Sequence, residues 1–267
     1  MLVAAACGRP YSSVVSFDVA AQAYDRFMGR YSSPLAPLLA DLAGIRSGQR
    51  VLDVGSGPGA LTAELAARLG PERVTAIDPS ESFVEAARAR HPGVTVLRGV
   101  AEALPFPDRA FDATLAQLVV HFMTDPVAGL AEMARVTGPG GVVAGCVWDH
   151  AGGHGPLGLF WRTARELDPE VRDESSLAGT REGHLAALFE AAGLRRVEPA
   201  VLEVALEHAD FEEWWEPYTA GVGPAGAYVA TLDGDHRLEL RERCRALLPG
   251  GPFEITARAW AARGVVD

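Results

Sequence analysis

The chain has 267 residues, 48% of them hydrophobic and 22% charged, and its net charge at pH 7 is −11. This length and composition predict one globular α/β domain with an elaborated cap, large enough to bury a core. The acidic balance argues against duplex nucleic acid or an anionic membrane as the main partner, and no apolar run approaches the roughly 20 residues of a membrane span.

The first part of the chain lies ahead of the predicted sheet. We expect residues 1–15 to be disordered and residues 16–267 to form a single domain. Within residues 18–43, apolar stretches interrupted by Pro34 and Pro37 predict two short N-terminal helices.

A glycine-rich turn follows the first predicted strand. Val51–Val54 is apolar apart from one aspartate, and the run Gly55-Ser56-Gly57-Pro58-Gly59-Ala60 comes directly after it. Pro58 suits the first turn of a helix, which we expect to end near Leu69. The pattern is therefore a strand, a turn almost without side chains, and a helix.

The next strand-to-helix turn carries a carboxylate. The predicted strand Val74–Ile77 is followed by Asp78 and Pro79, and Ser80 is a suitable N-cap for the next helix. The carboxyl ends of neighbouring parallel strands meet at one edge of a sheet, so the glycine turn and Asp78 should lie side by side. An open α/β sheet binds a nucleoside-bearing cofactor in this way.

The alternation of strands and helices continues to residue 148. Its short connections predict a parallel sheet with right-handed crossovers, and residues 48–148 are the expected cofactor-binding core. The predicted elements are strands Val94–Leu97, Phe111–Leu118 and Val142–Trp148, a loop over 99–108, a helix from Thr124 or Asp125 to Val136, and a turn over 138–141.

Beyond residue 150 the pattern loosens, and we expect cap insertions over 150–180 and 208–250. A long insertion before the last strand is typical of a lid. Trp214, Trp215 and Tyr218 either line an aromatic substrate pocket or pack the cap on the core. The predicted elements are helices over 159–167 and 184–192, strands over 197–206 and 253–261, and two helical stretches within 211–248.

The cysteines are few and widely spaced. Cys7, Cys146 and Cys244 have no zinc-site spacing, which predicts reduced thiols and a cytoplasmic protein. His150 and His154 lie four residues apart, but the glycine-rich segment between them does not place them on one helical face. We therefore expect no metal site.

The glycine motif by itself permits two cofactor classes. Its spacing also satisfies the G-x-G-x-x-A pattern of nicotinamide and flavin proteins, so an NAD(P)-dependent oxidoreductase is one alternative. Asp53 stands two residues before the first glycine, where those proteins usually have an apolar residue. The loop over 101–108, rich in apolar residues and proline, follows the third strand, where an adenine would lie. Both features argue against the nicotinamide alternative.

Together these motifs resemble the class I S-adenosylmethionine-dependent methyltransferases, near the bacterial branch of ubiquinone and menaquinone biosynthesis. The resemblance implies a Rossmann-like, doubly wound fold with N-terminal helices and a helical cap, built on a mostly parallel seven-stranded sheet with an antiparallel last strand. It also implies S-adenosylmethionine as methyl donor and S-adenosylhomocysteine as product. The matching segments are Tyr24–Ser32, Val51–Ala60, Ala76–Ser80, Ala101–Phe106 with Asp108, Phe111-Asp112, Arg135-Val136 and Gly138–Gly141.

The resemblance implies roles for individual residues. Asp78 would accept hydrogen bonds from both ribose hydroxyls, and Pro79 would pack beside the adenine. The Ala101 N–H would reach an adenine ring nitrogen, and Gln117 would border the methionine moiety. The residues expected to form the turn around that moiety are Asp53, Gly55, Ser56 and Gly57.

Two of the cofactor-binding positions have open alternatives. The family often has an aspartate, for the adenine amino group, where this chain has Val100; Glu102 or a backbone carbonyl would then substitute. Arg30 either binds the carboxylate of the cofactor or forms a surface salt bridge.

The candidate general base is His121, just past the fourth strand at the carboxyl edge of the sheet. A hydroxyl acceptor needs such a base, whereas the alternative is a polar residue at a helix entry. We expect an enzyme, monomeric or homodimeric, that methylates a small apolar or aromatic molecule. The alternatives are the NAD(P)-dependent oxidoreductase and a methyltransferase-fold protein that binds without turnover.

Overall fold

The computed structural model describes residues 21–267. The disorder expected for residues 1–15 and the thiol of Cys7 lie outside the described residues. Within residues 21–267, no helix combines the length and the apolar content needed to cross a membrane.

One seven-stranded sheet organises the described part of the chain. Its strands are β1 Val51–Val54, β2 Val74–Asp78, β3 Thr95–Arg98, β4 Phe111–Gln117, β5 Thr137–Trp148, β6 Arg195–His208 and β7 Phe253–Val265. The spatial order is β3-β2-β1-β4-β5-β7-β6. Neighbouring strands pair in parallel except at β7, which is antiparallel to both β5 and β6. The mostly parallel sheet with an antiparallel last strand is thus confirmed.

Helices cover both faces of this sheet. The α-helices are α1 Ala21–Tyr24, α2 Arg30–Ala43, α3 Ala60–Leu69, α4 Glu81–Arg90, α5 Pro126–Val136, α6 Gly158–Leu167, α7 His184–Ala191, α8 Phe211–Trp215, α9 Gly223–Thr231 and α10 Gly234–Ala246. On one face α2 and α3 bury Leu35 and Leu65 against the strands. On the other face α5 and α7 bury Met133 and Phe189. The sheet is therefore the middle of three layers, as in doubly wound folds.

The N-terminal helices differ from the prediction at the two prolines. Pro34 and Pro37 both lie inside the continuous helix α2, and the irregularity falls upstream, in a π-helical segment at Asp25–Gly29. The hydroxyls of Ser32 and Ser33 donate to the carbonyls of residues 28 and 29, at 2.9 and 3.0 Å. Side chains thus satisfy carbonyls where the regular helical pattern is broken.

Strand β5 begins five residues earlier than predicted, because the glycine turn over 138–141 belongs to it as an irregularity. Thr137 pairs with Phe111, and the register then shifts so that Val142 pairs with Ala113. A Cβ on Gly141 would come within 2.6 Å of the Asp112 carbonyl oxygen. Glycine is therefore required where the two strands approach at this bulge.

A third apolar cluster forms the cap. It joins the segments 150–180 and 208–250 to the N-terminal part of the chain, where Phe27 belongs to it. Phe160 stacks on Tyr218 with ring centroids 4.5 Å apart and an interplanar angle of 11°. Trp214 and Trp215 are also buried in this cluster. The cap is thus packed internally by aromatic side chains that the linear chain supplies from distant segments.

Candidate active site

A cavity of about 1030 Å³ opens at the carboxyl ends of β1, β2 and β4. Its floor lies beside the point where the strand order reverses, between β1 and β4, and ligands of doubly wound sheets bind at this point. The structure brings every predicted site residue to the wall of this one cavity: Arg30, Asp53, Gly55, Ser56, Gly57, Asp78, Pro79, Ala101, Glu102, Gln117 and His121.

The glycine turn crosses the end of β2 in a left-handed conformation. The N–H groups of Gly55 and Ser56 both donate to the Ile77 carbonyl, at 2.8 and 3.1 Å. Gly55 has φ +67°, and a Cβ there would come within 2.3 Å of Val119. Gly57 has φ +54°, and a Cβ there would meet no atom within 4 Å. The backbone of the turn is therefore bare where it borders the cavity.

Asp78 is held at the cavity wall by backbone donors. Its Oδ2 accepts from the Gly57 N–H at 2.8 Å and its Oδ1 accepts from the Ser80 N–H at 2.9 Å. Burial raises the pKa of this carboxyl. Each carboxylate oxygen can accept a further hydrogen bond, so the same group can still bind two hydroxyls.

Asp53 lies deeper, behind the turn. The Thr62 hydroxyl donates to its Oδ2 at 2.6 Å, whereas Oδ1 is buried without a hydrogen-bond partner among residues 21–267. Burial raises the pKa of Asp53 to about 7. The Asp53 carboxyl thus supports the glycine turn from behind, and its Oδ1 is free to accept a hydrogen bond from a ligand.

The loop after β3 forms a 3₁₀ turn at Ala101–Ala103, whose first N–H groups have no partner within the turn itself. Glu102 uses Oε1 to accept from the N–H groups of Thr124 and Asp125, at 2.7 and 3.2 Å. Val100 is 46% exposed on the cavity wall. Glu102 therefore anchors the start of α5 with one oxygen, which leaves Oε2 as the oxygen with which it could replace the aspartate expected at Val100.

Gln117 and Arg30 connect the sheet to the elements above it. The Gln117 side-chain N–H donates to the Ser32 carbonyl at 3.0 Å, and its Oε1 is buried without a partner in the described chain. The Arg30 guanidinium forms an ion pair with Glu213 at 2.9 Å and donates to the Glu207 carbonyl at 2.9 Å. This is the salt-bridge alternative for Arg30, so a role in binding a cofactor carboxylate would require that pair to open.

His121 is buried in a 3₁₀ turn at Val120–Phe122. Its Nδ1 has no hydrogen-bond partner among the described residues, and its ring lies 5.8 Å from that of His150, centroid to centroid. Burial, with a smaller contribution from His150, lowers the pKa of His121 well below its ordinary value. The imidazole is therefore neutral at pH 7 and able to accept a proton.

Several cavity residues had no predicted role. Trp148 is the last residue of β5 and His150 lies two residues after it, Phe27 belongs to the π-helical segment, and Glu174 enters the wall from the cap. The predicted position of β5 was the only sequence signal that could have placed Trp148 and His150 at the cavity. Phe27 and Glu174 reach it through the way distant segments fold together. The wall of this cavity does not include Trp214, Trp215 or Tyr218, so cap packing is the correct interpretation of those side chains.

Within residues 21–267, no three His, Cys, Asp or Glu side chains are placed to hold a metal ion. His154 instead pairs with the buried Asp149, at 2.8 Å between Nδ1 and Oδ2. Cys146 and Cys244 are free, buried thiols.

Residues 52–145 match a family model described as a methyltransferase domain. An uncharacterized methyltransferase of Mycobacterium tuberculosis is 36% identical over 177 residues, which cover 66% of this chain and 63% of the relative. A demethylmenaquinone methyltransferase of Renibacterium salmoninarum is 35% identical over 147 residues, which cover 53% of this chain and 61% of the relative. The matches thus span less than two thirds of these relatives.

The fold has counterparts among solved structures. The crystal structure of the YcgJ protein from Bacillus subtilis aligns with a TM-score of 0.56 at 20% identity. The alignment covers 88% of this chain and 98% of that chain. At this level of identity the likeness concerns the fold alone.

Proposed function

We propose that this chain, whose residues 52–145 match a methyltransferase domain, moves a methyl group from S-adenosylmethionine to a small molecule bound beside it in the cavity. The observation that carries the proposal is the cavity itself. The eleven residues predicted to bind the cofactor or to act on the acceptor all line it, and its volume is about 1030 Å³. That volume is at the upper end of the roughly 300–1,000 Å³ of small-molecule pockets, which leaves room for an acceptor beside the cofactor.

The residues present fit this cofactor. Gly57 leaves open space where a side chain would otherwise project, and the buried Asp78 carboxylate lies directly beside that backbone. Asp78 would hold the ribose, and Ala101 and Pro79 would flank the adenine. Gln117 would accept from the amino group of the methionine moiety through Oε1, which has no hydrogen-bond partner within residues 21–267. When bound, the cofactor supplies a methyl group activated on a sulfonium.

The chain itself supplies positioning and a base. Holding an acceptor atom in line with the methyl group accounts for much of the rate of such a transfer. If the acceptor is a hydroxyl, a ring nitrogen of the neutral His121 takes its proton. Because burial makes His121 a weak base, an acidic hydroxyl such as a phenol suits it better than an alcohol. The acceptor is accordingly a small apolar or aromatic molecule.

We also propose that the protein works in the cytoplasm as a monomer or homodimer. The two described cysteines, Cys146 and Cys244, are buried as free thiols, as is usual in a reducing compartment.

The test is a calorimetric titration with S-adenosylmethionine, S-adenosylhomocysteine, NADH and NADPH. We expect the two S-adenosyl compounds to bind and Asp78→Ala to weaken them by more than tenfold, since hydrogen bonds to a charged group contribute about 1.5–3 kcal/mol each. Asp235→Ala, an exposed aspartate on α10, is the matched control and should bind like the wild type.

The other functions predict different results. Binding of a nicotinamide cofactor in place of the S-adenosyl compounds would overturn the proposal in favour of an oxidoreductase. Transfer of a radiolabelled methyl group from the cofactor to a component of a small-molecule extract is the expected activity. Binding without any transfer would favour the non-catalytic alternative.

A further inference from the structure

We propose that Glu174 selects the methyl acceptor, and that the acceptor carries an uncharged hydrogen-bonding oxygen on an apolar or aromatic frame. This inference rests on the proposed function, because it concerns the part of the cavity that the predicted cofactor residues leave free. It assigns to a cap residue a role that neither the motifs nor the family match indicate.

Glu174 reaches the cavity from the cap. It begins the 3₁₀ turn Glu174–Ser176, between α6 and α7, and it is only 2% exposed. The wall of the same cavity also includes the apolar side chains of Phe27, Leu157, Leu177 and Val222. A buried carboxyl group thus shares this wall with apolar side chains, and burying it costs free energy unless it has a partner.

The chain provides no full set of partners for this carboxyl. The backbone N–H of Glu174 and the Trp161 side chain lie beside the carboxyl and lower its pKa. Oε2 is nevertheless buried without a hydrogen-bond partner among residues 21–267, and no ion pair in that part of the chain includes Glu174. The guanidinium of Arg165, on α6, pairs with the neighbouring Asp173 instead. A buried polar atom left unpaired costs about 1–3 kcal/mol, so a ligand that supplies the partner gains that free energy.

The protonation state indicates which partner fits. Burial raises the pKa of Glu174 to about 8, with a further contribution from Asp173. Near neutral pH the group is a carboxylic acid, which has one donor and retains acceptor capacity. A hydroxyl or carbonyl oxygen matches such a group, whereas an ammonium ion would need the ionised form.

A second buried group in the same wall has the same preference. The indole Nε1 of Trp148 has no hydrogen-bond partner in the described chain, and an indole N–H can only donate. A cationic acceptor gains nothing from that donor. Two unpaired groups in this wall therefore favour an acceptor that carries oxygen.

The test measures binding to the protein saturated with S-adenosylhomocysteine, so that only the acceptor part of the cavity is free. The probes are 2-naphthol, naphthalene and 2-naphthylmethylamine, which share a frame and differ in the polar group. We expect 2-naphthol to bind about tenfold more tightly than naphthalene, as one hydrogen bond to an otherwise unpaired buried group permits. The amine should show no such advantage.

Three variants show whether Glu174 causes this preference. Glu174→Gln keeps a donor and an acceptor and should retain the preference to within about threefold, whereas Glu174→Leu should abolish it. Glu170→Gln, an exposed glutamate on the same loop, should behave as the wild type. Tight binding of the amine that Glu174→Gln destroys would overturn the inference, as would equal binding of 2-naphthol and naphthalene or binding of no probe.

These failures are distinct from failure of the proposed function. If S-adenosylhomocysteine itself does not bind, the proposed function is contradicted. If it binds and the preference for 2-naphthol is absent, only the role of Glu174 is contradicted.

Discussion

At the scale of single residues, burial determines the protonation of the groups that face the cavity. His121 is kept neutral, and the pKa values of Asp53 and Glu174 are raised to about 7 and about 8. Burial disfavours the charged form of every titratable group, so acids and bases shift in opposite directions. The candidate base and the candidate acceptor-binding acid are therefore both uncharged near pH 7.

Replacing the candidate base should separate turnover from binding. We expect His121→Ala to lower methyl transfer by on the order of 100-fold or more, because general base catalysis contributes at least that much when the acceptor is a hydroxyl. The Kd of S-adenosylmethionine, measured by calorimetry, should change by less than about threefold. His236→Ala, an exposed histidine on α10, is the control. Equal losses of turnover and cofactor affinity would refute a role as base.

The buried carboxyl of Asp53 should make stability depend on pH. Its pKa is about 7 in the folded protein against 3.8 when exposed, so between these values the folded state binds more protons than the unfolded state. The free energy of unfolding then falls as pH rises from about 4 to 7, by at most about 4 kcal/mol from this group. Asp53→Asn should remove that part of the fall, measured by urea unfolding of the cofactor-free protein at pH 4.5 and 7.5.

A matched control keeps the measurement specific to burial. Asp235→Asn changes an exposed carboxyl and should leave the pH dependence of the unfolding free energy as in the wild type. An Asp53→Asn variant whose stability follows the wild type at both pH values would show that Asp53 is charged in the folded state.

At the scale of elements, one ion pair ties the N-terminal helix to the cap. Arg30 begins α2 and Glu213 lies in α8, and their side chains are 27% and 39% exposed. Such partly exposed pairs contribute little to stability, typically less than about 1 kcal/mol. The pair therefore matters more for the position of the two helices than for the stability of the fold.

Substituting each partner in turn discriminates the two roles of Arg30. If it acts as a tether, Arg30→Ala and Glu213→Ala should change the Kd of S-adenosylmethionine equally, and by less than about threefold. If it binds the cofactor carboxylate, Arg30→Ala alone should weaken binding by more than tenfold. Calorimetry on both variants gives the answer, and the structure favours the first result.

The boundaries of elements show where local sequence rules are insufficient. β1 matches its prediction at both ends, because an apolar run followed by glycine marks both limits. Helix α2, in contrast, contains both prolines that were expected to divide it. Its burial against the sheet, with Leu35 and Leu39 fully buried, outweighs the local cost of the prolines.

At the scale of the whole molecule, the cap depends on residues far apart in sequence. Phe160, Trp215 and Tyr218 pack together with Phe27, so the two insertions and the N-terminal part of the chain share one apolar cluster. Leu157, a member of this cluster, and Glu174, from the same cap segment, both line the cavity. If Glu174 selects the acceptor as proposed, acceptor recognition depends on the packing of the cap, whereas most of the predicted cofactor residues lie at the edge of the sheet.

Removing a large side chain from the cap cluster should test whether the cap and the sheet bind different ligands. Phe160 is fully buried and does not line the site, and we expect Phe160→Ala to lower the free energy of unfolding by about 3–5 kcal/mol. At a temperature where the variant is folded, 2-naphthol should bind more weakly while S-adenosylhomocysteine binds within about threefold of the wild type. Leu238→Ala, at an exposed position, should cost less than about 0.5 kcal/mol. Equal loss of both ligands would show that cap and sheet form one binding unit.

The sequence alone determined the sheet, its glycine turn and the resemblance to methyltransferases, since these depend on local periodicity and on residues near one another along the chain. The same short-range logic placed Asp53, Asp78 and His121 at one edge, because parallel strands align their carboxyl ends. The tertiary structure alone decided the partners of Arg30, the role of Trp214 and the arrival of Glu174 in the cavity. Those outcomes depend on contacts between segments far apart in the chain, whose geometry no local pattern encodes.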